Sequence, residues 1–327
     1  MSTSMVEGSP LKLMLRFAMP LLAGNLLQQT YNIIDAAIVG QTLGAQALAG
    51  VGASSSVQFL VLGFCMGSCA GFGVPIAKYF GAGDQKKMRD CVFNGAALTA
   101  LIAVILTITC SLLCNSILHI LSVPSDIYAD AYRYLIVIFL GIPFTLMYNY
   151  LSSILRSVGD SRTPFLFLAF SAGLNIFLDL YMVAVLNLGV AGAAYATFIA
   201  QGISAVLSLI IFIVTLQKLP GKAEGWLSKT EFSDMSRIAL PSILQQSTVS
   251  IGMMLVQSVV NSFGTQILAG FSAAMRIESL CVVPMSAIGN AMSSYTAQNI
   301  GAEKEERISQ GYRMGNFMII VIAVILC

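Results

Sequence analysis

The chain of 327 residues is 57% hydrophobic and 10% charged, with a formal net charge of +2 at pH 7. Soluble domains carry about 25% charged residues, so a chain this apolar could not cover a water-exposed surface and is expected to lie in a lipid bilayer. No basic cluster alternates with aromatic residues, and we therefore expect no nucleic-acid partner.

Apolar stretches long enough to cross a bilayer as helices recur along the chain. They cover residues 13–40, 47–77, 91–114, 128–151, 163–186, 190–216, 237–261, 267–297 and 311–327. This pattern predicts an all-α integral membrane protein with about nine transmembrane helices. The first stretch is too long for a cleavable signal peptide. Because the last stretch ends at Cys327 with no tail, we expect a fragment of a longer transporter, truncated inside a helix.

Basic residues predict the orientation. If the N-terminus is cytoplasmic, every lysine and arginine except Arg133 and Arg276 falls at the inner side of the alternating spans. Cytoplasmic loops carry such an excess of basic residues. The prediction is a multi-pass protein of the plasma (inner) membrane with its N-terminus in the cytoplasm.

An internal repeat relates the two halves of the chain. Residues 43–50 (LGAQALAG) match residues 263–270 (FGTQILAG), and the same spacing of 220 residues pairs 81–82 with 301–302. Each repeat unit holds six spans, so both halves share one orientation and substrates are expected between them. We predict an N-terminal lobe (1–216, helices 1–6), a cytoplasmic linker (217–236) and a partial C-terminal lobe (237–327, helices 7–9).

Few ionisable residues lie within the spans, where each is costly and expected to be functional. Asp179 is one helical turn from Asn175, and Thr197 lies as far beyond the tight turn near Gly189 as Asp179 lies before it. Asp35 lies in the same outer half of the membrane. Two carboxylates in a low dielectric cannot both ionise cheaply, so the group should take up a proton or bind a hard cation such as Na⁺.

The second half lacks this acid, because Leu255 occupies the position that corresponds to Asp35. Glu278 and Arg276 near an outer helix end form a secondary site, for which a local ion pair is the favoured interpretation. Pro20 and Pro143 are hinge candidates, and a packing kink explains Pro143 equally well.

Several short motifs, in this order and spacing, resemble the multidrug and toxic compound extrusion (MATE) family over essentially the whole chain. They are Pro20, 31–35 (YNIID), 39–40, 44–50, 81–83 (GAG), 159–160 with 163–164, the Asn175/Asp179 pair, and 189–194 (GVAGAA) leading to Thr197.

The resemblance implies twelve helices in two six-helix lobes around a V-shaped cavity, and export of drugs and organic cations in exchange for H⁺ or Na⁺. It points to the DinF-like branch, with Asp35, Asn175, Asp179 and Thr197 as the cation site. Entry of the ion would repack the first lobe and release the drug outside. We expect a monomer, no enzymatic activity, and no cofactor beyond the coupling ion.

Three alternatives are weighed against an exporter. A flippase for lipid-linked oligosaccharides or lipids would need cationic residues in its cavity, and basic residues are nearly absent from the spans. A membrane-bound enzyme would need a His/Asp/Glu cluster at the membrane surface, which the sequence does not offer. A channel fits the paired buried acids and the two-lobe repeat less well than a carrier does.

Overall fold

The computed structural model describes residues 4–121, 123–218, 228–261 and 265–326, and every regular element in these ranges is helical. The helices are α1 (Pro10–Leu43), α2 (Ala45–Gly81), α3 (Gln85–Leu112), α4 (Cys114–Ile120), α5 (Tyr128–Leu140), α6 (Ile142–Ser157), α7 (Arg162–Asp179), α8 (Val190–Lys218), α9 (Lys229–Asn261), α10 (Thr265–Gly301) and α11 (Glu305–Leu326). A π-helical turn, Leu180–Val185, continues α7. The predicted all-α fold is confirmed.

Each of the nine predicted spans corresponds to a long helical segment of the described chain. Helices α5 and α6 together make one segment, bent by 46° near Gly141, and Pro143 lies in the first turn of α6. In the described residues, five segments are long and apolar enough to cross a membrane, and the bent pair would be a sixth. Helices α1, α9 and α10 have 33 to 37 residues and are also long enough to cross a bilayer.

The linker predicted at 217–236 is helical at both ends. Helix α8 continues to Lys218 and α9 already begins at Lys229, while residues 219–227 lie outside the described part of the chain. The polar residues at the start of α9 belong to a helix because Met235 is fully buried in the core of the first lobe. Polarity therefore marks the edge of the apolar stretch and not the end of the helix. The lobe boundaries 1–216 and 237–327 stay a prediction.

The largest buried core lies among α2, α3, α5 and α6, and it includes Phe72, Leu135 and Leu146. A second core joins the start of α1 to α10 and α11 around Tyr295. A third joins α1, α5 and α8 around Val39 and Ala193. The first and second cores also contain side chains of α9 to α11, so they hold the two halves of the chain together.

One end of the helix bundle is closed by hydrogen bonds. We call it the basic end; it comprises the N-terminal segment 4–9 and the loops 82–84, 158–161 and 302–304. The Gln298 side chain accepts from the Met5 N–H at 2.8 Å and donates to the Ser157 carbonyl at 2.8 Å. Arg307 donates to the Gly8 carbonyl at 3.0 Å. These bonds join the first and second halves of the chain at this end.

Two glycines allow the closest approach between the halves, also at the basic end. A Cβ atom on Gly81 would overlap the backbone carbonyl of Gln298, and one on Gly301 would overlap the backbone carbonyl of Lys78. Gly81 and Gly301 are 220 residues apart, and so are Lys78 and Gln298, which is the spacing of the sequence repeat. The contact is therefore reciprocal, as across a two-fold axis.

Candidate ion site in the first lobe

The tight turn between α7 and α8 brings two predicted site residues together. Asn187 and Gly189 have φ angles of 52° and 64°, in the left-handed region, which lets the chain reverse within 186–189. As a result α7 and α8 pack side by side, and the Asn175 Nδ2 donates a hydrogen bond to the Thr197 Oγ1 at 3.3 Å. The sequence predicted Thr197 at the depth of Asp179, and the hydrogen bond in the structure joins Thr197 to Asn175, one helical turn before Asp179.

The two remaining predicted site residues are Asp35 on α1 and Asp179 on α7. The carboxyl groups of Asp35 and Asp179 lie close enough to interact electrostatically with each other. Asp179 is fully buried, and Asp35 is half-buried at the wall of a cavity. All four predicted residues therefore belong to one cluster, which we call the acidic cluster (Asp35, Asn175, Asp179 and Thr197).

Several oxygens of the acidic cluster have no hydrogen-bond donor among the described residues. Within the described part of the chain, no donor reaches one carboxylate oxygen of Asp35, either oxygen of Asp179, or the Asn175 side-chain oxygen. A buried carboxylate without a donor or a counter-charge is costly. A proton shared between the carboxyls would supply the missing donor, and a hard cation would bind the same oxygens.

A cavity of about 430 Å³ extends from the acidic cluster toward the basic end. Its volume is within the range of small-molecule sites, which is about 300–1,000 Å³. Asp35 and Arg156 are the two charged residues on its described wall. The polar part of the wall includes amide, hydroxyl and phenol groups from α1, α6 and α8: Asn25, Gln28, Tyr31, Asn32, Thr145, Tyr148, Asn149, Gln201 and Ser204.

Tyrosines surround the acidic cluster. Tyr134 on α5 and Tyr31 on α1 lie close enough to both carboxyl groups to interact with them electrostatically. The Tyr134 hydroxyl pairs with Gln58, and the Tyr31 hydroxyl pairs with Gln28. From the sequence, Tyr31 stands out only as part of the 31–35 motif and Tyr134 does not stand out, because aromatic residues in apolar helices are common and carry no distinguishing spacing.

Arg156 is the charged wall residue that the sequence analysis placed at an inner segment. It lies in the last turn of α6 and faces the cavity. A signal was available in the sequence: Thr145, Asn149 and Arg156 recur at helical spacing and form one polar face. All three line the cavity.

The other predicted residues lie elsewhere. Glu278 on α10 is exposed, and the Arg276 side chain is outside the described residues, so their predicted ion pair stays a prediction. Pro20, within α1, lines the cavity, and Pro143 lies at the bend between α5 and α6. Of the described residues, no three His, Cys, Asp or Glu side chains form a metal-binding group.

Comparison with known proteins decides the family. The MatE family model matches residues 20–181 and 241–327. The chain belongs to the MATE family. The probable multidrug resistance protein YpnP of Bacillus subtilis is 34% identical to it over 303 residues, which are 92% of this chain and 68% of that protein. This MATE chain thus spans about two thirds of the relative's length.

Solved structures agree with this assignment. An outward-facing multidrug resistance MATE transporter of the MOP superfamily superposes with a TM-score of 0.91 and 26% identity, over 98% of this chain and 72% of that one. A MOP superfamily transporter from Pyrococcus furiosus, described as having a binding pocket of reversed polarity, gives a TM-score of 0.91 and 27% identity over the same fractions. The resemblance to the MATE family noted in the sequence is confirmed, and the protein is a multi-pass membrane protein of this family, whose relatives described above are transporters.

Proposed function

We propose that this MATE protein exports drugs and other amphipathic or cationic organic compounds across the plasma membrane in exchange for H⁺ or Na⁺. One observation supports the proposed coupling: the acidic cluster holds buried oxygens that no donor of the described residues reaches, at the wall of a cavity of drug-like size. The relatives named multidrug resistance proteins support the substrate class.

The cavity wall suits such compounds. Its aromatic and apolar side chains, among them Phe59, Leu62, Met66 and Phe165, suit the hydrophobic part of such a substrate, and its amides and phenols suit the polar groups of the substrate. Asp35 places a negative charge at one end of the cavity, where it attracts an organic cation.

The acidic cluster makes ion binding and drug binding compete. When the ion is absent, the Asp35 carboxylate is free to face an organic cation in the cavity. When H⁺ or Na⁺ binds between Asp35 and Asp179, that charge is neutralised and α1 can draw closer to α7. An ion can shift the conformational equilibrium only through its differential affinity for the two states, and the cluster provides that difference.

The closed basic end fits an outward-facing state. We propose that the basic end lies in the cytoplasm, where the hydrogen bonds of Gln298 and the contact between Gly81 and Gly301 keep the halves together. The cavity would then be reached from outside, and breaking these contacts would be needed for substrate entry from the cytoplasm.

The test is dye efflux from proteoliposomes that contain the full-length protein. A pH gradient and a Na⁺ gradient are imposed separately on wild type, Asp35→Asn, Asp179→Asn and a matched control, Asp126→Asn. Asp126 is exposed in the loop before α5 and is outside the cavity.

One gradient should drive efflux in wild type and in the control, and both cluster variants should lose the gradient-driven part. Efflux that persists in Asp35→Asn and Asp179→Asn would place the coupling elsewhere. No efflux of any dye under either gradient would contradict drug export itself.

A further inference from the structure

Arg156 is a second charged pole of the cavity, and nothing in the proposed ion exchange uses it. Tyr148, two turns before Arg156 on α6, donates a hydrogen bond to the Pro164 carbonyl at 3.1 Å, which sets the level of α6 against α7. Fifteen residues of helix separate Pro164 from Asp179, so Arg156 lies about 20 Å along the bundle from the carboxyl groups of Asp179 and Asp35.

Among the described residues, no acidic side chain neutralises Arg156. Within the described residues its guanidinium makes no ion pair, and its electrostatic neighbours are Tyr148 and the buried Cys69. The carboxylate of Asp160, four residues further along, accepts hydrogen bonds from the backbone N–H groups of Arg162 and Thr163 in its own loop. A cationic group that is largely removed from water without a partner is costly, unless a ligand supplies the counter-charge.

Arg156 also lies where two spaces meet. It lines the large cavity and also a smaller cleft of about 50 Å³ between α2, α6 and α10. Hydroxyls of Ser153, Ser293 and Ser294 line this cleft beside it. The Ser153 hydroxyl donates to the Cys69 carbonyl at 2.7 Å, which leaves the hydroxyls of Ser293 and Ser294 beside the guanidinium. A planar guanidinium with hydroxyl groups nearby is suited to bind a carboxylate or a phosphate.

We propose that Arg156 binds the acidic group of transported molecules that carry one, so that zwitterions or anions with an apolar body are preferred over simple organic cations among the exported compounds. This refines the substrate class of the proposed function and rests on it. The cationic part of a zwitterion would face Asp35, and its carboxylate or phosphate would face Arg156. Such an acidic group could belong to a soluble drug or to an anionic lipid headgroup.

Equilibrium binding tests this with no gradient, so its outcome is independent of ion coupling. The ligands are a rhodamine that carries a free carboxylate and its methyl ester, which differ only in that acidic group. Binding is followed by fluorescence anisotropy with the full-length protein in nanodiscs of phosphatidylcholine. The variants are Arg156→Gln, Arg156→Lys and a control, Arg162→Gln, whose side chain is exposed and outside the cavity.

We expect Arg156→Gln to weaken binding of the acid roughly 10- to 100-fold, as for loss of a charge-assisted hydrogen bond, and to leave the ester almost unchanged. Arg156→Lys should retain part of the affinity, and Arg162→Gln all of it. If Arg156→Gln does not fold, the wild type decides: benzoate should compete with the acid and not with the ester.

A second measurement asks whether Arg156 binds an anionic lipid headgroup. Retention of phosphatidylglycerol by wild type and its loss in Arg156→Gln, with weak binding of both dyes, would assign the site to a lipid headgroup and support the proposed chemistry. Equal affinity of Arg156→Gln and wild type for the acid, with no change in retained lipid, would overturn the proposal. The proposal would also be overturned if benzoate did not reduce binding of the acid to the wild type.

Discussion

A single methyl group at Gly81 should open the basic end. The carbonyl and Cα of Gln298 that a Cβ would meet belong to the backbone and cannot rotate away, so α2 and α10 must separate. Overpacking of this kind costs about 1–3 kcal/mol, and here the cost falls only on the closed state. The gain in helix propensity from Gly to Ala applies to both states and cancels. The ratio of closed to open molecules should therefore fall by about 5- to 150-fold.

Maleimide labelling of a reporter cysteine measures that ratio. Ala297, in the cleft beside Arg156, is almost completely buried, and Ala297→Cys should react only when the basic end opens. The labelling rate of Ala297→Cys should rise in the Gly81→Ala background by the factor given above. Gly52→Ala in the same helix is the control, because no atom lies within 4 Å of its added Cβ. Equal labelling rates with Gly81→Ala and in wild type, or an equal increase with Gly52→Ala, would refute the reasoning.

Three further predictions concern other contacts. Thr197→Val removes the hydroxyl that accepts a hydrogen bond from the Asn175 amide. It should weaken the affinity for the coupling ion severalfold, measured by titrating transport rate against ion concentration. An unchanged affinity would exclude this hydroxyl from the site. Gln298→Ala leaves the Met5 N–H without its acceptor, at a cost of about 1–3 kcal/mol, and should speed amide exchange in the N-terminal segment, whereas unchanged exchange would contradict a role in closure. Asp160→Ala should lower stability by about 1–2 kcal/mol at neutral pH. Burial raises the pKa of Asp160, but hydrogen bonds from Thr163 outweigh burial and the net pKa is lowered. The stabilisation by Asp160 is therefore present above the ordinary pKa near 4 and is lost as the pH falls below that value. A difference in melting temperature between wild type and Asp160→Ala that grows on acidification would contradict this prediction.

The sequence predicts the helices of this protein well, because a bilayer demands long apolar segments and the chain shows them directly. It also predicts the acidic cluster, since Asn175 and Asp179 share a helix face and a tight turn sets the depth of Thr197. The structure adds the contact with Asp35, whose position relative to α7 depends on packing between α1 and α7 that no local pattern encodes.

Other features depend on three-dimensional packing more strongly. In the sequence Arg156 is one of many basic residues near an inner boundary, and only the packing of α6 shows that its side chain lines the cavity. The reciprocal contact of Gly81 and Gly301 needs both the repeat and the crossing of α2 and α10. The π-helical turn after Asp179 has no signal in the sequence, although such turns often occur at functional sites.

If the coupling ion binds at Asp35 and Asp179, a proton should be held there at low pH. Infrared difference spectroscopy of the purified full-length protein detects it through the carbonyl stretch of a protonated carboxyl group. Wild type should show this band on acidification, and added Na⁺ should remove it if both ions share the oxygens. Asp179→Asn should lack the band, and a band that is unchanged in Asp179→Asn would contradict the account.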